Sequence, residues 1–191
     1  MTLIGDDRSN IILQYYQSTG ISAATAHAEK QQPGLTGSLN LAANDAGRIM
    51  TIKHRFEMAG DSTDLPPALL AGIVSRETHC GLLLDKNGWG DNGNAYGICQ
   101  IDKRSHKIYT IDGPDGLAHI DQAGLILDEM RKRVGRMHPD WSRVNILRGA
   151  VAAYNVGAKN VQTIDGMDIG TTHDDYSADV WARARYYAGY Y

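Results

Sequence analysis

A strongly apolar segment, residues 64–81, constrains the fold more than any other part of the sequence. Two prolines stand in its first turn, where a missing N–H group does not disturb a helix, and Gly81 is a natural stop. Within the predicted helix, Glu77 follows Ile73 and Val74 by four and three residues, so its carboxyl lies on the apolar stripe. An unpaired buried carboxylate is energetically costly, so we expect Glu77 to have either a partner or a use.

A glycine-rich stretch, residues 87–102, follows this helix and contains two further acids, Asp91 and Asp102. Its glycines, asparagines and aspartates predict turns, and residues 95–102 alternate enough to predict one short strand in a small hairpin sheet. Burial should raise the pKa of Glu77, which would then keep a proton that it can donate to a leaving oxygen. The three acids and the glycine-rich stretch together predict a proton-transfer site.

Each acid also has a structural explanation when it is taken alone. Glu77 could pair with Arg76, with His79 or with another helix. Asp91 could form an Asx turn, and Asp102 could pair with one of the two basic residues that follow it. Only the combination of the three acids with the glycine-rich stretch favours a catalytic role over a structural one.

Asn155 ends a predicted apolar helix, residues 142–155, just before a glycine. Its side-chain amide could bind the amides and hydroxyls of a sugar, or it could cap the helix. The sequence contains no His-Glu-x-x-His motif, no phosphate-binding loop and no nucleophile elbow. We therefore expect a site without a metal or an organic cofactor.

The length and the apolar patterns predict a single domain over residues 1–191, with a loosely structured N-terminal lobe over residues 1–40. Helical periodicity recurs between turns, and no internal repeat is present. These features predict the α+β class, predominantly helical, with a small antiparallel sheet. The predicted helices lie at residues 23–30, 44–60, 64–81, 115–137, 142–155 and 174–188.

The formal net charge of −3 gives no support for nucleic-acid or membrane binding, and no apolar run approaches the roughly 18 residues of a membrane span. The first seven residues lack a basic region and a long apolar core, so we expect no signal peptide, which leaves secreted, lysosomal and cytoplasmic locations open. The cysteines, Cys80 and Cys99, fit neither a metal-ligand spacing nor a disulfide framework. If the helix end and the strand converge, their sulfurs could form a regulatory pair.

The sequence resembles the goose-type lysozyme family in five phrases that follow the family's order. They are Ser-Arg-Glu-Thr-His at 75–79, Asn-Gly-Trp-Gly-Asp at 87–91, Gln-Ile-Asp-Lys-Arg-Ser-His at 100–106, Ala-Tyr-Asn at 153–155 and Met-Asp-Ile-Gly-Thr-Thr-His-Asp-Asp-Tyr at 167–176.

The resemblance implies a lysozyme-like fold whose small sheet lies beside the active-site cleft. It implies hydrolysis, with inversion, of the β-1,4 bond between N-acetylmuramic acid and N-acetylglucosamine in bacterial peptidoglycan, and we expect a monomer. The family's general acid corresponds to Glu77, and its water-positioning acids correspond to Asp91 and Asp102. Inversion through a water needs about 6.5–9.5 Å between the two carboxyls. The family's sugar-contacting residues correspond to Gln100, His106, Tyr154 and Asn155.

The sequence departs from the avian members of that family at several positions. The usual cysteines are absent, as in the disulfide-free fish branch, and Glu129-Met130 stands where avian members have an Asn-Phe pair that touches substrate. Two other functions stay open at this point. A lytic transglycosylase resembles the site in its single Glu, glycine-rich loop and Ala-Tyr-Asn phrase. A peptidoglycan-binding module without turnover would need none of the three acids.

Overall fold

The computed structural model describes residues 9–191, which form a helical body with one small sheet. The strands β1, β2 and β3 pair antiparallel in that order, so the predicted α+β class with a helical majority is confirmed. The α-helices are α1 Ala23–Ala28, α2 Leu35–Thr51, α3 Lys53–Thr63, α4 Pro67–Thr78, α5 Leu117–Met137, α6 Arg143–Val156 and α7 Tyr176–Tyr187. The strands are β1 Trp89–Gly90, β2 Ala95–Tyr96 and β3 Ile101–Asp102.

The expectation about a signal peptide concerns the first seven residues, which lie outside the described residues. None of the helices in the described part of the chain combines the length and the hydropathy that a membrane span requires.

Helix α4 lies at the centre of the protein. Every residue from Ala68 to Ser75 is buried, so the helix has no solvent-facing side over two turns. Gly72 lets α7 approach closely, because a Cβ at this position would lie 2.7 Å from the carbonyl oxygen of Val180. Polar groups enter α4 only near its C-terminal end, where Glu77 stands. The core of the protein therefore supports the residue that the sequence singles out.

The prediction of one helix over residues 44–60 was wrong in its bounds. Helix α2 begins nine residues earlier, after Gly34, whose φ of 90° suits glycine, and the chain bends at Ile52 before α3 continues to Thr63. Gly37 and Ser38, in the first turn of α2, are buried, and Gly37 packs so closely on the N-terminal segment that a Cβ there would lie 2.5 Å from the side chain of Ile21. Tertiary packing, which the local pattern does not reveal, stabilises this polar first turn.

The N-terminal segment is attached to the last helix. Trp181 donates its indole N–H to the carbonyl oxygen of Leu13 at 3.0 Å, and the backbone N–H of Ser22 donates to Asp175 at 2.6 Å. Leu13 and Trp181 are both fully buried. Residues far apart in the sequence thus share one core.

The single strand predicted over residues 95–102 is two strands. Gly97 and Gln100 have positive φ angles of 69° and 50°, which turn the chain between β2 and β3. The register pairs Ala95 with Asp102 and Tyr96 with Ile101. The predicted hairpin is therefore present, but it lies within the segment that was predicted to be one strand.

Candidate active site

One cleft of about 580 Å³ contains all seven residues that the sequence proposed for the site. Its walls come from the end of α4, the sheet, the loop that follows β3, helices α5 and α6, and Thr172. The cleft residues include Glu77, Asp91, Asp102, Gln100, His106, Tyr154 and Asn155.

Glu77 is partly buried, near the C-terminal end of α4, and its Oε1 accepts a hydrogen bond from the hydroxyl of Tyr176. Burial raises the pKa of Glu77 from 4.5 to about 7, although the Tyr176 hydroxyl and the charge of Arg76 act in the opposite direction. Near neutral pH, a large fraction of this carboxyl therefore keeps its proton. The cleft thus contains a carboxylic acid that can donate a proton at physiological pH.

Of the structural partners considered for Glu77, neither basic neighbour pairs with it in the described residues, and its partner lies on another helix, α7. Arg76 directs its guanidinium to Asp175 at 2.9 Å and to Asp179 at 2.7 Å. His79 pairs with two acids of the N-terminal half of the chain. Neither basic group forms an ion pair with Glu77, and within residues 9–191 the one hydrogen bond to its carboxyl comes from Tyr176.

Asp102 lies at the end of β3 and is held by Arg104. The Arg104 guanidinium donates to both carboxylate oxygens at 2.6–3.0 Å, and its backbone N–H donates to Oδ1 at 2.7 Å. These hydrogen bonds lower the pKa of Asp102 to about 2. Asp102 is therefore an ionised carboxylate over the whole physiological range.

Asp91 faces the same guanidinium from the other end of the sheet. Its Oδ2 lies 3.6 Å from Nη2 of Arg104, and its side chain is 53% exposed. Its backbone has a φ of 46°, in the left-handed region that the neighbouring glycines help the chain to reach. Arg104 therefore brings the two aspartates together, on a more exposed part of the cleft than Glu77.

Two of the proposed sugar-contacting residues also form the walls of the cleft. The hydroxyl of Tyr154 donates to the carbonyl oxygen of Cys99 at 2.9 Å, which links α6 to the turn between β2 and β3. Asn155 accepts the backbone N–H of Thr172 at 3.0 Å and donates its amide to the Thr172 hydroxyl at 3.2 Å. The C-cap of α6 is Gly157, so Asn155 does not cap this helix.

The other two proposed sugar-contacting residues leave polar groups available in the cleft. Gln100 donates its amide N–H to the carbonyl oxygen of Gly97 at 2.9 Å, and its side-chain oxygen forms no hydrogen bond to the described residues. His106 donates its backbone N–H to Asp102 at 3.0 Å, while its ring is partly buried and forms no hydrogen bond there. Both residues line the cleft.

The sequence assigned no role to Tyr176 and Thr172 and gave Arg104 only as a possible structural partner of Asp102, although each of the three contacts a proposed site residue. All three lie inside phrases that carry the resemblance, at 167–176 and 100–106. These phrases were the signal that the sequence offered, but they do not show which side chains the three residues contact. Among the described residues, no group of three His, Cys, Asp or Glu side chains is arranged to hold a metal ion.

The two cysteines are free thiols. Burial raises the pKa of Cys80 to about 12 and that of Cys99 well above its ordinary value. Both side chains are therefore thiols and not thiolates at neutral pH.

Comparisons with known proteins match nearly the whole chain to one family. A family model described as Lysozyme g matches residues 12–190. The chain is 45% identical to Lysozyme g of Gallus gallus over 172 residues, which are 89% of this chain and 80% of that protein. It is 41% identical to Lysozyme g of Casuarius casuarius over 92% of this chain and 94% of the other. It is 36% identical to Lysozyme g of the fish Cyprinus carpio over 89% and 91%.

Proposed function

The chain belongs to the lysozyme g family and is a goose-type lysozyme that acts on peptidoglycan, and we propose that it cleaves the β-1,4 bond after N-acetylmuramic acid with inversion. The expected resemblance to that family is thereby confirmed. The observation that carries the proposed mechanism is the pair of opposite pKa shifts within one cleft. Glu77 keeps its proton at pH values where Asp102 has lost its own. Two carboxyls whose environments separate their pKa values in this way can act as acid and base at the same pH.

Glu77 is the proposed general acid. Because Oε1 accepts the Tyr176 hydroxyl, the acidic proton belongs on Oε2, the oxygen that is free to face the glycosidic bond. Burial keeps this proton in place until the leaving oxygen develops negative charge. Transfer of the proton leaves a carboxylate, which the Tyr176 hydroxyl and the nearby Arg76 charge then stabilise.

Asp102 and Asp91 are the proposed residues that orient and deprotonate the attacking water. The water would approach the sugar carbon from the face opposite Glu77, which gives inversion and requires the wider carboxyl separation of about 6.5–9.5 Å. Arg104 fixes the orientation of Asp102 before substrate arrives, at the cost of a weaker base. One oxygen of Asp102 has to leave the guanidinium when water binds.

Gln100, His106, Tyr154 and Asn155 are the proposed contacts to the sugar units. Their presence in the cleft supports this role, as does the free polar capacity of Gln100 and His106. Tyr154 and Asn155 would act from the wall, since each already bonds to a neighbouring segment.

We also propose that residues 1–191 work as one domain and as a monomer. The hydrogen bonds from Trp181 to Leu13 and from Ser22 to Asp175 support a single unit, because they attach the N-terminal segment to the last helix. Size-exclusion chromatography with light scattering measures the mass directly against the 20.9 kDa of one chain.

Product analysis on purified, uncrosslinked glycan tests the mechanism. Mass spectrometry should find reducing N-acetylmuramic acid ends, and proton NMR of the first products should find the α-anomer before mutarotation. A β-anomer would indicate retention and would contradict the role of Asp102. A 1,6-anhydro end would indicate a transglycosylase, and bound but uncleaved glycan would indicate a binding module.

A further inference from the structure

A second cavity, separate from the cleft, lies between the N-terminal segment, α6 and the loop before α7. Its volume is about 580 Å³, and no residue that lines it also lines the cleft. Asn145 borders this cavity and Asn155 borders the cleft, ten residues apart on α6, which corresponds to about 15 Å along a helix. None of its residues has a part in the proposed reaction.

Arg148 lines this cavity and is 6% exposed. Its guanidinium stacks 3.5 Å from the centre of the Tyr16 ring. Its Nε is buried without a hydrogen-bond partner, and the described residues form no hydrogen bond or salt bridge with the guanidinium, although the charge of Asp168 lies near enough to raise its pKa against the effect of burial. A buried charge is normally paired, and a planar guanidinium binds a carboxylate through two parallel hydrogen bonds. Arg148 is therefore suited to an anionic group inside the cavity.

The acids around the cavity argue against a simple anion. Asp175 is paired with Arg76, and Asp168 accepts the backbone N–H groups of Ser177 and Ala178 at the start of α7. Their negative charge remains close to any bound ligand.

Two further acids lie at the exposed rim of the cavity, Asp165 and Asp174. Asp174 accepts the backbone N–H of Gly170 at 2.7 Å, whereas Asp165 forms no hydrogen bond or ion pair with the described residues. A lone anion would be repelled by these acids, and a lone cation would be repelled by Arg148. A molecule that carries both charges satisfies both ends of the cavity.

We propose that this cavity binds an α-amino acid in its zwitterionic form, with the carboxylate on Arg148 and the ammonium group against Asp165. The carboxylate gives the buried guanidinium the partner that the protein does not supply. The ammonium group offsets the acidic rim and meets its free carboxylate. The site stands apart from catalysis, so its occupancy can be measured without any activity assay.

Three probes of similar size test the two charges of the ligand together and one at a time. Alanine carries both, propionate carries only the carboxylate, and ethylammonium carries only the amine. In titrations at constant ionic strength, followed by amide chemical shifts, alanine should give saturable shifts around Gly20, Ser22 and Asp165. Propionate and ethylammonium should need at least about tenfold higher concentrations. Absence of saturable shifts with alanine, or equal binding of propionate, would overturn the proposal.

Variants attribute the binding to the two ends of the cavity. Arg148→Met should abolish alanine binding, and Asp165→Asn should weaken it about tenfold or more. Arg136→Met and Asp140→Asn, exposed elsewhere, are the matched controls and should bind alanine as the unmodified protein does. Because Arg148 is buried, its variant could fail to fold, whereas Asp165 is exposed and keeps the test decisive. Unchanged alanine affinity in Asp165→Asn would refute the proposed orientation. Lysis of bacterial walls by Asp165→Asn should stay unchanged.

Discussion

Each side of the cleft presents a carboxyl group, but one is buried in the core and the other lies beside an exposed guanidinium. Glu77 is supported by the core helix α4, and burial raises its pKa to about 7. Asp102 lies on a two-residue strand beside exposed Arg104, whose hydrogen bonds lower its pKa to about 2. Burial controls one carboxyl and hydrogen bonding controls the other. The buried side should therefore be sensitive to packing, and the exposed side should be sensitive to salt.

Replacement of Glu77 by Gln should have the largest effect on activity. The amide keeps the shape and can still accept the Tyr176 hydrogen bond, but it cannot donate an acidic proton. We expect kcat for peptidoglycan hydrolysis to fall by about 10²–10⁴-fold with the fold retained. Glu57→Gln, on the surface of α3, is the matched control and should keep full activity. Normal lysis by the Glu77 variant would remove the general acid from the mechanism.

On the exposed side, Asp102→Asn should reduce kcat by about 10²-fold, and Asp91→Asn should reduce it less. Asp102 holds two hydrogen bonds from the guanidinium, whereas Asp91 lies 3.6 Å from it. Turnover of a soluble glycan oligomer measures both. Equal losses would mean that the two aspartates share one function, and a larger loss at Asp91 would reverse their proposed roles.

The free energy of unfolding should also distinguish the two sides of the cleft, because the replacement of the buried acid should stabilise the protein at high pH although it destroys activity. Because the folded state raises the pKa of Glu77 from 4.5 to about 7, the contribution of this group to stability is fully present below pH 4.5 and is lost as the pH rises through 7. Glu77→Gln removes this loss, so it should be more stable than the unmodified protein at pH 8 by on the order of 2–3 kcal/mol. Urea unfolding at pH 4 and pH 8 measures the difference. Asp102→Asn should show no such gain, and a gain for the Glu77 variant that is independent of pH would point to packing instead.

The hydroxyl of Tyr176 should set the upper limit of the pH range for activity. Its hydrogen bond lowers the pKa of Glu77 against the effect of burial, so Tyr176→Phe should raise that pKa further. Activity falls as Glu77 loses its proton, and the alkaline limb of the kcat profile should therefore move to higher pH. Tyr186→Phe, a tyrosine whose hydroxyl bonds to Tyr190, is the control. If the alkaline limb does not move, the ionisation that it reports is not that of Glu77.

Arg104→Gln should have the smallest effect, and only at acidic pH. Loss of the guanidinium raises the pKa of Asp102 toward its ordinary value near 3.8. The acidic limb of the kcat profile should move to higher pH by less than two units, with little change at pH 6. A large loss of activity at pH 6 would mean that the orientation that Arg104 gives to Asp102, and not its effect on the pKa, limits the rate.

The sequence predicted most of this arrangement where local pattern decides the structure. Helix α4 is apolar over two turns, and α5 and α6 have clear helical periods, so their bounds were close to those found. The start of α2 was missed because a polar turn there depends on the distant Ile21. The partner of Glu77 was missed for the same reason, since Tyr176 lies 99 residues further along the chain. Contacts of this range leave no local periodicity.

The free cysteines have a consequence for where such a protein can persist. Both thiols are described and unpaired, so no cross-link contributes to the free energy of unfolding. The melting temperature should therefore be the same in the presence of a reducing agent and in air. A disulfide-stapled enzyme loses stability when the redox potential of its surroundings falls. With both thiols free, the free energy of unfolding of this chain should not depend on the redox potential of its surroundings.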